Sequence, residues 1–92
     1  MPVPHVTLLT KPGCHLCDDA RLALEAVLDE VEFRGARDYD ELNILEDPAL
    51  LDEYAEEIPV VLIDGRIHTI WRVDPDRLRT ALRAATPKAA RP

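Results

Sequence analysis

"HVTLLTKPGCHLCDDA", residues 5–20, decides how the rest of the chain is read. Its first six residues are a short apolar run with β-branched members, which predicts a buried strand closed by Pro12-Gly13. Beyond that turn, apolar residues recur at Leu16, Ala20, Ala23, Leu24, Val27, Leu28 and Val31. This is the spacing of an amphipathic helix, with Gly35 as its expected stop. Cys14 and Cys17, the only two cysteines, fall where strand hands over to helix. Such a pair is a structural crosslink, a metal site or a working dithiol, and its surroundings have to decide which.

The bulk properties narrow the choice. Ninety-two residues make one small domain with a modest core. Two cysteines are too few for the disulfide framework of a small secreted domain. No run is long enough to span a membrane, and the start of the chain lacks a basic, signal-like segment. The expected compartment is therefore the reducing cytoplasm, where a lone CxxC does not serve as a permanent staple. A net charge of −7 argues against a nucleic-acid surface, which needs a basic footprint. No membrane partner is expected, and the expected state is a monomer.

Working outward, "DELNIL" (40–45) predicts a second strand. Asp47-Pro48 then offers a helix cap followed by proline in the first turn, ahead of "ALLDEYAEE" (49–57) with Leu50, Leu51 and Tyr54 as its apolar face. "PVVLI" (59–63) is the clearest strand, and "RIHTIW" (66–71) alternates on the far side of Asp64-Gly65, a hairpin signature. On this strand His68 is expected to face solvent. Asp74-Pro75 repeats the cap-and-proline pattern before "DRLRTALRAA" (76–85), whose Leu78, Ala81, Leu82 and Ala85 share a stripe. The order is βαβαββα. It predicts an α/β fold with a four-stranded mixed sheet, the first two strands parallel and the last two antiparallel, and helices on both faces. Residues 1–85 form the expected domain and 86–92 a mobile tail.

A CxxC beside a βαβ pattern in a reducing compartment points to a thioredoxin-like redox motif. If the helix begins near Cys14, unpaired backbone N–H groups there favour the thiolate of that residue. Lys11 and a protonated His15 act in the same direction, and Asp18 and Asp19 oppose them. Cys17, one turn further in, is within reach and less exposed, which suits the thiol that resolves a mixed disulfide. A zinc site completed by His5, His15 or His68 is the alternative, but the histidines are scattered and there is no second CxxC. Proline opening a strand, as in Ile58-Pro59, is often explained by a cis bond or tight turn, or else by an edge-strand start.

From roughly residue 5 to 84 the chain resembles the glutaredoxin-like proteins of the thioredoxin-fold superfamily. "KPGCHLC" resembles the glutaredoxin active-site segment, and "EIPVVLIDG" the strand that carries the family's cis-proline. The resemblance implies the thioredoxin fold and thiol–disulfide oxidoreductase activity, with Cys14 as nucleophile and Cys17 as resolving thiol. It implies a substrate-facing Ile58-Pro59, with Ile58 backbone pairing with a bound thiol peptide, and a Lys11 near a substrate carboxylate. Three positions depart from the pattern. His-Leu separates the cysteines, Ile58 replaces Thr or Ser, and "IWRVDPDRL" replaces the Gly-Gly segment that binds glutathione. Trp71 and Arg72 stand where small residues would admit the tripeptide, so glutathione is expected to be a poor partner. Trp71 reads as a substrate platform or as packing, and Arg72 as a partner for another carboxylate. Asp74 matches either the family's acidic residue or a helix cap.

The leading expectation is an enzyme without a resident cofactor or metal. It would act on a disulfide-containing protein or a small-thiol substrate and be served by a reductase or a low-molecular-weight thiol. The alternatives are a metal or iron–sulfur carrier, and a redox-inactive binding module on the same fold.

Overall fold

The computed structural model describes residues 4–85, so the expected tail at 86–92 lies outside the described residues. Four strands, β1 (Val6–Thr10), β2 (Asp40–Asn43), β3 (Val60–Ile63) and β4 (Arg66–Ile70), form one sheet in the order β2-β1-β3-β4. Three helices accompany them: α1 (His15–Leu28), α2 (Pro48–Tyr54) and α3 (Pro75–Ala85). β1 is parallel to β2, Thr7 facing Asp40, and antiparallel to β3, Val6 facing Ile63. β3 and β4 are antiparallel. The architecture is the α/β thioredoxin-like one.

Every residue of β1 is buried, because the strand is central and both its faces are covered. Alternation divides the core. Val6 and Leu8 of β1, with Val61 and Ile63 of β3, meet Ala20, Leu24, Val27 and Leu28 of α1 and Leu78 and Leu82 of α3. Leu9 and Val60 point the other way, into a smaller cluster with Ile44 and Ile58, against which Leu50 and Tyr54 of α2 pack.

The local signals explain the element ends. Asp47 Oδ1 accepts from the Ala49 and Leu50 N–H groups, and Asp74 Oδ1 from those of Asp76 and Arg77, each ahead of a proline in the first turn. Asp74 is thus the cap of α3. At the hairpin, Asp64 and Gly65 both have positive φ (52° and 81°), as a type I′ turn requires.

Four expectations need correction. α1 ends at Leu28 rather than running to Gly35, and Val31–Ala36 forms a 3₁₀ turn that buries Phe33 while Val31 is exposed. β2 ends at Asn43, whose side-chain oxygen accepts from Leu45 N–H and starts a 3₁₀ turn that buries Ile44. α2 stops at Tyr54, and Leu51 is exposed rather than part of the apolar face. His68 is the extra residue where the β3–β4 register shifts and is half-buried, with its Nε2 unpaired.

Candidate active site

The two cysteines stand at the junction between β1 and α1. Lys11, Pro12 and Gly13 turn the chain, Gly13 at φ 73°, a left-handed conformation that glycine adopts without steric cost. Cys14 then takes an extended conformation as the cap of α1. Its Sγ accepts from the Cys17 N–H at 3.1 Å, and its carbonyl accepts from the Asp18 N–H at 3.1 Å. The sulfur therefore occupies the place usually taken by a serine or aspartate cap oxygen, facing the unpaired N–H groups that favour negative charge. Cys14 is partly exposed.

Cys17 is placed differently. It is 1% exposed and packs with Leu9, Ile44, Ile58 and Val60, while Cys14 borders the same cluster. Burial pushes the Cys17 thiol up to about 11, and its hydrogen bond with Cys14 adds to the rise. A main-chain hydrogen bond at Lys11 and the charge of Arg21 pull the other way. Both cysteines are free thiols. A reachable sulfur at a helix mouth, backed by a shielded one in the next turn, is an arrangement able to carry two-step thiol–disulfide exchange.

Of the remaining sequence-predicted residues, Ile58 shares a cluster with this pair, whereas Trp71 and Arg72 line one neighbouring groove and Lys11 another. The Ile58–Pro59 peptide is cis, Pro59 is fully buried, and Ile58 lies in the cluster that holds Cys17. Trp71 is tied to the same loop: its backbone N–H donates to the Pro59 carbonyl at 2.8 Å and its indole Nε1–H to the Glu56 carbonyl at 3.0 Å. Trp71 nevertheless remains 53% exposed, and its φ of 68° is a left-handed conformation that costs a non-glycine residue about 1 kcal/mol. With Arg72 and Val73 it forms one wall of a groove whose other wall is Leu16, Ala20 and Ala23 of α1. Lys11 lines a different, polar cleft on the opposite flank, with Thr10, Asp18, Arg21, Glu41 and Asn43.

That polar cleft holds the residues that sequence reasoning missed. Arg21 donates through Nε and Nη2 to Glu41 (2.7 and 2.6 Å) and through Nη1 to Asp18 (2.9 Å). The buried Thr10 hydroxyl donates to Glu41 Oε2 at 3.0 Å. The fork holds the Glu41 carboxyl below the usual range. One signal was available: Arg21 follows Cys17 by four residues and so shares its side of the helix. The pairing with Glu41 depends on the parallel register of β1 and β2, which no local pattern discloses.

The histidines stay apart. His5 pairs with Asp40 at the start of β1, His15 opens α1, and His68 lies on β4. Among the described residues no group of three or more His, Cys, Asp or Glu side chains is placed to hold a metal ion. Nor is any described helix long and apolar enough to cross a membrane.

Comparison with known proteins agrees with this fold. The family model for the "Glutaredoxin-like domain (DUF836)" matches residues 5–83. An uncharacterized protein of Mycobacterium tuberculosis is 37% identical over 87 residues, covering 94% of this chain and 90% of its own. The crystal structure of target protein XcR50 from X. campestris is similar at a TM-score of 0.68 and 32% identity, over 86% of this chain and 96% of that one. Trxlp from Edwardsiella tarda shares the fold, with a TM-score of 0.61 at 16% identity over 87% of this chain and 82% of its own.

Proposed function

The chain belongs to the glutaredoxin-like domain family, and from that premise we propose that it is a thiol–disulfide oxidoreductase working through Cys14 and Cys17. The observation that carries the reading is the inequality of the two sulfurs: one caps a helix within reach of solvent, the other is sealed behind it. Cys14 thiolate attacks a substrate disulfide, joins one substrate sulfur and expels the other. Cys17 thiolate then attacks Cys14 Sγ, closing the Cys14–Cys17 disulfide and releasing the second substrate thiol. Two electrons pass to the substrate, and the protons of the two cysteines end on the two released thiols. A reductase or small thiol returns the protein to the dithiol form.

Substrate would lie against Ile58 and Pro59, with Trp71 and Arg72 on one flank and Lys11 on the other. We place the protein in the cytoplasm as a monomer acting on a disulfide-bearing protein or a small-thiol disulfide. Trp71 and Arg72 supply bulk where a tripeptide would need close backbone approach, so glutathione is a weak donor in this reading. Turnover of a mixed disulfide, fuelled either by glutathione and its reductase or by a thioredoxin reductase, reads the donor. Efficient turnover with glutathione alone overturns that part of the proposal.

The dithiol reading is tested by trapping. Cys17→Ser should accumulate mixed disulfides with cellular proteins on a non-reducing gel, because the first attack survives and the second does not. Cys14→Ser should accumulate few. The reverse pattern exchanges the roles, and no adducts with either variant sinks the reading.

A further inference from the structure

Trp71 is the only tryptophan in the chain, and it is held at the surface against a steric penalty. Its φ of 68° is strained for any residue that has a Cβ. Its main-chain N–H donates to the Pro59 carbonyl, and its indole Nε1–H to the Glu56 carbonyl. The Thr69 hydroxyl donates to the Arg72 carbonyl at 2.8 Å and closes the same loop from β4. Backbone and ring are thus both anchored, yet more than half of the residue stays exposed. A tryptophan that served only the core would be largely buried and would need no left-handed backbone.

Trp71 and Val73 form one wall of a groove of about 280 Å³, and Leu16 and Ala23 of α1 form the other. Leu16 stands between the two cysteines in sequence and is 46% exposed, so the groove opens beside the dithiol. Asp19 and Arg72 bring one charge of each sign to the two walls. The lining therefore has no net charge and offers little to a charged substrate group; what it offers is apolar surface. Pockets that enclose a whole small ligand measure about 300–1,000 Å³, so this groove suits a single bulky side chain better than a whole molecule.

We infer that Trp71 and Leu16 are specificity-determining residues that seat a bulky apolar side chain next to the cysteine of a protein disulfide, so that the site takes proteins in preference to small-thiol disulfides. The inference rests on the dithiol reading above. Covering much of a leucine-sized side chain in such a groove favours that substrate by about ten-fold.

The test follows the reduction of symmetric peptide disulfides by the reduced full chain, each rate divided by that of dithiothreitol on the same disulfide. One peptide carries leucine on both sides of its cysteine, the other serine. The leucine peptide should react about ten-fold faster. Trp71→Gly, in which glycine keeps the same backbone without strain, should bring that ratio below about three. Ala23→Leu fills the groove from the helix side with Trp71 in place and should lower the ratio likewise; it carries the test should Trp71→Gly not fold. A second readout uses Cys17→Ser joined to each peptide through Cys14, where Trp71 emission should lie at shorter wavelength in the leucine adduct. Equal rates for the two peptides in the parent, an unchanged ratio in either folded variant, equal emission from the two adducts, or faster normalised reduction of cystine than of the leucine peptide overturns the inference and leaves the dithiol reading standing. A parent protein that reduces none of these disulfides overturns the dithiol reading, and the inference with it.

Discussion

On one face of the sheet, α1 and α3 close over a cluster of twelve buried residues; on the other, α2 and the loops close over five. The larger side is reinforced at its rim, where Arg79 reaches from α3 to Glu30 and Arg83 to Glu32, with the Arg83 guanidinium 5.6 Å from the Phe33 ring centroid. Those ion pairs are partly or largely exposed and contribute little each. The smaller side has no fully buried residue from α2, yet it contains Cys17 and Ile58, and Cys14 borders it. The difference teaches that this molecule keeps most of its packing away from the face that holds its two cysteines. In the proposed exchange, resolving a mixed disulfide displaces atoms around Cys17, and a lightly covered cluster resists that displacement less than a thick one.

The largest effect that can break this comparison is a pair of truncations. Leu24→Ala, on the thick side, should destabilise by about 2–5 kcal/mol, because Leu24 is fully buried between β1 and the helices. Leu50→Ala, on the thin side, removes a half-buried side chain and should cost about 1 kcal/mol. Urea unfolding of both variants compares them directly. Equal losses would mean that the two faces carry the fold alike.

A smaller effect sharpens the comparison through pH. Cys17 titrates at about 11 when folded against an ordinary value of 9.0. The folded state therefore favours the neutral thiol. Its contribution is fully present below pH 9 and is lost as pH rises from there to about 11, up to roughly 3 kcal/mol. Under reducing conditions the parent should lose this increment across that window, and Cys17→Ala should lack it. Parallel stability curves for the two proteins would show that the burial of Cys17 has no energetic weight.

Both sides were unevenly legible in the sequence, for physical reasons. Pro12-Gly13 and the apolar spacing after Cys14 located the dithiol, because a turn and a helix leave local marks. Asp47-Pro48 and Asp74-Pro75 located the starts of α2 and α3 for the same reason. Val31 fits the helical stripe but falls beyond the point where the chain turns to bury Phe33, and tertiary packing decided between them. Ile44 reads as a strand residue until the Asn43 side chain bends the chain there. His68 looked solvent-facing because alternation was counted through a position where the register slips by one. Arg21 and Glu41 are twenty residues apart and meet only because β2 lies parallel to β1, so their contact belonged to the fold and to no stretch of sequence.

The strand order has one more consequence, for how the molecule is made. β1 is synthesised before the other described strands, yet its antiparallel neighbour, β3, begins only at Val60. Until that segment leaves the ribosome, the nascent chain can form at most a two-stranded parallel sheet with α1 and α2. Of the four residues clustered with Cys17, Leu9 and Ile44 come early in the chain, and Ile58 and Val60 come later. The burial of Cys17 that sets it apart from Cys14 is therefore completed only when the second half of the chain closes over the first.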